Sequence, residues 1–86
     1  MKIVYSGSFV KSADSLPNEI QEKLDALLVT LAEDPFHPTL HTKRLSGKLN
    51  NFYSFRIAKD WRVVFAFVEE NTLRLAAVGH RKDIYR

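Results

Sequence analysis

Apolar positions follow one rhythm in the first part of the chain and another in the second. Lys2-Ile3-Val4-Tyr5 has the make-up of a short strand closed by the Ser6-Gly7-Ser8 turn, after which Phe9, Ala13 and Leu16 recur at helical spacing. Pro17 suits the first position of a second helix, where its missing N–H removes no bond, and Glu19 favours the positive end of the dipole. Ile20, Leu24, Leu27, Leu28 and Leu31 form one apolar stripe backed by Glu19, Glu22, Lys23 and Asp25. That stripe predicts a core-facing helix that stops near Asp34, because Pro35 and Pro38 cannot continue it. Pro35 to Asn51 reads as a long connection punctuated by Gly47.

From Phe52 the period switches to two. Tyr53, Phe55 and Ile57 alternate with Ser54 and Arg56, then Trp61, Val63, Phe65 and Phe67 alternate with Arg62, Val64 and Ala66. Opposed residues of an antiparallel pair share a face, so sending the large apolar residues to the core predicts the pairs Ile57–Trp61, Phe55–Val63 and Tyr53–Phe65 around an Ala58-Lys59-Asp60 loop. This register sets Arg56 opposite Arg62 on the face away from the helices, where two like charges require compensation. A third strand over Thr72–Gly79 turns Leu73, Leu75 and Ala77 to the core and Arg74, Ala76, Val78 and His80 to the arginine face; registers with either Val78 or His80 opposite Arg62 place the imidazole within about a residue of that guanidinium. The order β-α-α-β-β-β predicts an α+β domain over residues 1–86, with both helices on one face of a mainly antiparallel four-stranded sheet. Trp61, Phe65 and Phe67 are read as core residues, with no part in stacking on RNA.

Composition narrows the chemistry. The chain has 86 residues, including six Phe, three Tyr and one Trp, which is enough apolar material for one small core and too short a chain for a two-domain enzyme. It has no cysteine, so disulfides, thiolate metal sites and cysteine nucleophiles are excluded. His37-x3-His41 has the spacing of a helical metal pair, but Pro38 prevents the helix that would align the rings. No metal or other cofactor is expected. The N-terminus lacks the apolar stretch of a cleaved signal and no run approaches a membrane span, so a soluble cytoplasmic protein is expected.

Charge is unevenly spread. Residues 1–41 hold three Lys against six Asp/Glu, a balance of −3, and residues 42–86 hold ten Lys/Arg against four Asp/Glu, a balance of +6. The basic half, which includes Arg74 and Arg86, is a candidate polyanion-binding face. Lys43, Arg44, Lys48, Lys59 and Lys82 are candidate phosphate contacts that add affinity without sequence choice.

The segment Arg44-Leu45-Ser46-Gly47-Lys48-Leu49, the hairpin from Ser54 to Phe65 and the ending Gly79-His80-Arg81-Lys82-Asp83-Ile84-Tyr85-Arg86 resemble the RelE/ParE superfamily of toxins from toxin–antitoxin modules. The resemblance spans essentially the whole chain and is nearest to the RelE-like branch, which cleaves mRNA in the ribosomal A site. By this resemblance Arg56, Arg62 and Arg81 match arginines that hold phosphate and stabilise the cleavage transition state. His80 stands where some members carry His and others Lys, and Tyr85 matches a C-terminal tyrosine that stacks on or orients the substrate. Where some members carry a further lysine or a carboxylate before the hairpin, this chain has Ser54, and no Asp or Glu occurs from Phe36 to Lys59.

The resemblance implies metal-independent cleavage by attack of a 2′-OH on the adjacent phosphorus. Such a reaction needs proton transfer, for which histidine is suited, and cations around the phosphorane, for which paired guanidiniums are suited. It also implies an acidic antitoxin as partner, with operator DNA bound only through that antitoxin. Two alternatives stay open: a ParE-like DNA gyrase inhibitor, against which the His80 and Tyr85 ending counts, and a non-catalytic antitoxin-binding homologue.

Overall fold

A computed structural model of the chain describes residues 1–85; Arg86, counted above in the basic half, lies outside the described residues. The elements run β1 (Lys2–Tyr5), α1 (Gly7–Asp14), α2 (Asn18–Glu33), β2 (Lys43–Arg44), β3 (Tyr53–Ala58), β4 (Trp61–Glu69) and β5 (Thr72–His80). The sheet has the order β1-β5-β4-β3-β2, parallel between β1 and β5 and antiparallel elsewhere. The α+β class expected from the sequence is the one observed. The strand count differs: a fifth strand, β2, lies inside the 35–51 segment read as a plain connection. Two residues are too few to produce a visible alternation, and β2 is held by pairing Lys43 with Ser54 and Arg44 with Tyr53.

Local chemistry sets the helix ends. The Ser6 hydroxyl accepts from the Phe9 N–H at 2.9 Å and donates to the Ala76 carbonyl at 3.0 Å, so one side chain caps α1 and fastens it to β5. No separate turn follows β1, since Gly7 already belongs to the helix. Pro17 precedes α2 with extended backbone, and Asp34 ends it.

Both helices lie on one side of the sheet. Phe9, Leu16, Ile20, Leu24 and Leu31 bury against Phe55, Ile57, Val63, Phe65, Leu73, Leu75 and Val78, with Leu27 and Leu28 partly buried beside them. Burying each such side chain contributes about 1.5–3 kcal/mol, which is what offsets chain entropy in a domain this small. Phe67 does not join this core. It lies at the rim, 37 % exposed and stacked on Phe36 at 6.1 Å.

Three irregularities in the ladders decide where the site residues point. Tyr53–Phe65, Phe55–Val63 and Arg56–Arg62 pair as the alternation predicts, but Trp61 pairs with Ala58 in place of Ile57, across a bulge. The bulge leaves Ile57 buried in the core and closes the hairpin over Lys59-Asp60, a shorter connection than the expected three residues. A second bulge between β4 and β5 leaves Phe65 opposite Leu75 but Val64 opposite Ala77, so Ala76 is the extra residue and the alternation of β5 changes phase there. Val78 therefore turns into the core and Ala77 away from it, the reverse of the expected facing. His80 pairs with Trp61, not with the arginine row. A third bulge, between Phe67 and Glu69, leaves Val68 as the extra residue near the end of β4. The following turn uses Asn71 at φ 58°, a left-handed conformation that asparagine tolerates better than most residues.

Candidate functional site

The β3–β4 turn and the end of β5 lie side by side, which gathers Lys59, Asp60, Arg62, His80, Arg81 and Lys82 there. Arg62 projects from β4 on the face opposite the helices. Its Nη1 donates to the carbonyl oxygens of Ala58 at 2.9 Å, Lys59 at 2.9 Å and Trp61 at 3.1 Å. These three carbonyls answer the like-charge problem of the Arg56–Arg62 pair: turn dipoles offset part of the charge of one guanidinium, while Arg56 stands exposed beside it. Arg62 thus holds the turn while remaining at the site.

The next strand end is tied to the same turn. The Arg81 N–H donates to the Asp60 carbonyl at 2.7 Å, and Arg81 Nε lies 3.3 Å from Asp60 Oδ1. Asp60 is therefore the ionic partner of Arg81, not of Arg56 or Arg62. His80, one residue earlier, sits with its ring centroid 5.5 Å from that of Trp61 at an interplanar angle of 73°. Its Nδ1 accepts the Lys82 N–H at 3.1 Å, so the neutral ring carries its proton on Nε2. The expected sharing of one face by His80, Arg56 and Arg62 is corrected here: His80 lies at the strand end beside Trp61, next to the arginine face and not within it.

The closing turn from Arg81 to Tyr85 leads the chain back across the sheet. Tyr85 lines a shallow depression with Lys43, Leu45, Ser46 and Leu49, on the β2 side. Opposed residues share a face, so Lys43, across from Ser54, belongs to the same face as Arg56 and Arg62. Arg44 belongs to the other face. It pairs with Tyr53, lines a separate hollow with Asn50, Asn51, Tyr53 and Phe67, and donates from Nε to the Asn50 carbonyl at 2.9 Å. The four lysines and one arginine grouped by charge are therefore not one surface. Lys59 and Lys82 flank the turn and strand end, Lys43 lies beside Tyr85, Lys48 is exposed in the 3-10 turn Gly47–Leu49, and Arg44 diverges.

Two residues outside the sequence-based set enter the site. Asp60 holds Arg81, and Ser54 is buried to 2 % on the arginine face, next to Lys43 across the ladder. The signal for Ser54 was its place two residues before Arg56. The signal for Asp60 was its place in the turn that the end of β5 must pass. His37 and His41 do other work: His37 Nδ1 accepts the Thr39 N–H at 3.1 Å, and His41 ends the short 3-10 turn at φ 51°.

The fold is thus a small mixed sheet with two helices on one face and a basic turn at one end. Residues 6–77 match the family described as the RelE-like toxin of type II toxin–antitoxin system HigB, and the chain belongs to that family. No curated protein matches it by sequence. Among solved structures, YafQ from Escherichia coli strain BL21(DE3) superposes with a TM-score of 0.82 at 19 % identity, over 99 % of this chain and 98 % of that one. A chain of the RelB–RelE antitoxin–toxin complex from Methanococcus jannaschii gives 0.77 at 23 % identity, over 95 % and 94 %. A chain of the YoeB–YefM complex from Staphylococcus aureus gives 0.76 at 19 % identity, over 93 % and 95 %. At these identities the likeness is one of fold.

Proposed function

We propose that this toxin is a metal-independent mRNA endoribonuclease that acts in the ribosomal A site of the cytoplasm and so inhibits translation. The observation that supports this reading best is the gathering of Arg56, Arg62 and Arg81 around one turn, with His80 at the adjoining strand end and Lys43 and Tyr85 on the arginine side of the sheet. The 2′-hydroxyl gives its proton to water as its oxygen bonds to phosphorus, the bond from phosphorus to the 5′-oxygen breaks, and negative charge builds on the two non-bridging oxygens. Arg56 and Arg81 answer that charge with their guanidinium forks, and the part of Arg62 not bound to the turn adds to them. His80, with Nδ1 occupied by the Lys82 N–H, meets the substrate as an Nε2–H hydrogen-bond donor to a phosphoryl oxygen or to the departing 5′-oxygen, which takes its proton from water. Tyr85 stacks on an unpaired base, and Lys43, Lys59 and Lys82 hold flanking phosphates.

An open, basic face with no deep groove among the described residues has little with which to select or hold free RNA, so the ribosome supplies the positioning. An antitoxin with acidic segments is the partner expected to cover this face, and promoter DNA is bound through that antitoxin. The alternative of a gyrase inhibitor gives no use to the His80 and Tyr85 ending. Primer extension on a defined mRNA in a reconstituted translation reaction, beside a gyrase supercoiling assay, separates the readings. A-site cuts by the wild type that are lost in His80→Ala support the nuclease, whereas intact mRNA with blocked supercoiling supports the gyrase inhibitor.

A further inference from the structure

Asp60 is the residue at this site with the most attachments and no assigned part in the chemistry. Its carbonyl oxygen accepts the Arg81 N–H and its carboxylate faces Arg81 Nε, so one residue fixes both the backbone and the side chain of Arg81. Asp60 is itself fixed, because Arg62 Nη1 binds the carbonyls on both sides of it, those of Lys59 and Trp61. The links run from Arg62 through the turn to Asp60 and on to Arg81, which follows His80 directly in the chain.

We propose that Asp60 is a positioning residue for phosphate binding, acting through Arg81; this rests on the nuclease reading. A guanidinium held at Nε by a carboxylate keeps both Nη groups free, as a planar fork with its orientation set before the phosphate arrives. The ordering cost of a long, rotamer-rich side chain is then met in the free protein and not in the transition state. Stability is not what this ion pair provides. Its side chains are 50 % and 41 % exposed, a setting in which such pairs contribute little to folding. A rate effect that exceeds any stability effect is therefore the signature of the role.

The test is a double-mutant cycle in ribosome-dependent cleavage of a defined mRNA, with single-turnover rates taken at saturating toxin and the half-saturating toxin concentration measured separately. Asp60→Ala is expected to slow cleavage about 10-fold or more with half-saturation within about 2-fold of wild type, and Asp60→Asn, which keeps an oxygen for Nε–H, to recover most of the rate. Asp60→Ala combined with Arg81→Ala is expected to be no slower than Arg81→Ala alone, since the first residue acts only through the second. Multiplying losses, or an Asp60→Ala rate equal to wild type, overturns the proposal while the nuclease reading stands. Wild-type protein that leaves the message uncut overturns both. If Asp60→Ala does not fold, Asp60→Ser, a residue suited to turns, carries the same cycle.

Discussion

Trp61 and His80 face each other across β4 and β5 with ring centroids 5.5 Å apart and planes at 73°, an edge-to-face contact at the very end of the ladder. With Nδ1 held by the Lys82 N–H, the imidazole is packed against a large aromatic ring and has one nitrogen occupied. Only Nε2 is left to meet a substrate. His80→Ala is therefore expected to fold as wild type and to lose cleavage by about 100-fold or more, the loss typical of removing one preorganised hydrogen-bond donor to developing charge. Circular dichroism and primer extension on the same preparations check the two halves of this statement. Near wild-type cleavage by a folded His80→Ala protein would remove the histidine from the reaction.

Arg62 carries a double load, and its replacements should separate the two parts. Arg62→Ala removes three hydrogen bonds from a charged donor to turn carbonyls, each worth roughly 1 kcal/mol or somewhat more, and is expected to lower the unfolding free energy by about 1–3 kcal/mol. Arg62→Lys keeps the charge but has no planar fork with which to cap the turn. It is expected to unfold at a denaturant concentration closer to that of the alanine variant than to wild type, and to bind the ribosome with a salt dependence like wild type. Urea titrations together with ribosome binding at several salt concentrations test both expectations.

Much of the architecture was legible because the large side chains leave few choices. Phe55, Val63, Phe65, Leu73 and Leu75 could point only inward, and they do. The reading failed where residues were small or the element short. Ala76 and Ala77 fit either face, so nothing in their identity marked the bulge that turns Val78 into the core and carries His80 to Trp61. Lys43 and Arg44 show no alternation over two residues, so β2 was invisible and with it the fact that the two cations face opposite sides. The arginines of the site were legible as residue types. Their partners were not, because carbonyl oxygens, which every residue carries, hold Arg62, and a turn carboxylate holds Arg81.

The split at β2 predicts a contrast between neighbours. Lys43 shares the arginine face with Ser54 and Arg56, whereas Arg44 lies toward Tyr53 and Phe67 with its Nε already on the Asn50 carbonyl. Lys43→Ala is expected to flatten the log–log salt dependence of RNA-bearing ribosome binding by about 0.7, the slope expected for one phosphate contact on a single strand. Arg44→Ala is expected to leave that slope unchanged. Equal slopes for Lys43→Ala and wild type would remove Lys43 from the phosphate contacts.

Phe65 and Phe67 are two residues apart on one strand and were indistinguishable by alternation, yet their burial predicts different costs. Phe65 is fully buried, stacked on Tyr53 at 5.7 Å and tilted against Phe55 at 6.1 Å. Phe65→Ala is expected to cost about 3–5 kcal/mol, enough to unfold a domain whose whole stability is of the order of 5–15 kcal/mol or to leave it marginal. Phe67 keeps 37 % of its surface in water and rests on Phe36, itself 57 % exposed, so truncation there leaves no closed cavity. Phe67→Ala is expected to cost roughly 1–2 kcal/mol, because only the buried part of the ring contributes. Urea midpoints measured side by side decide the matter, and equal midpoints for the two variants would contradict the assignment of Phe67 to the rim.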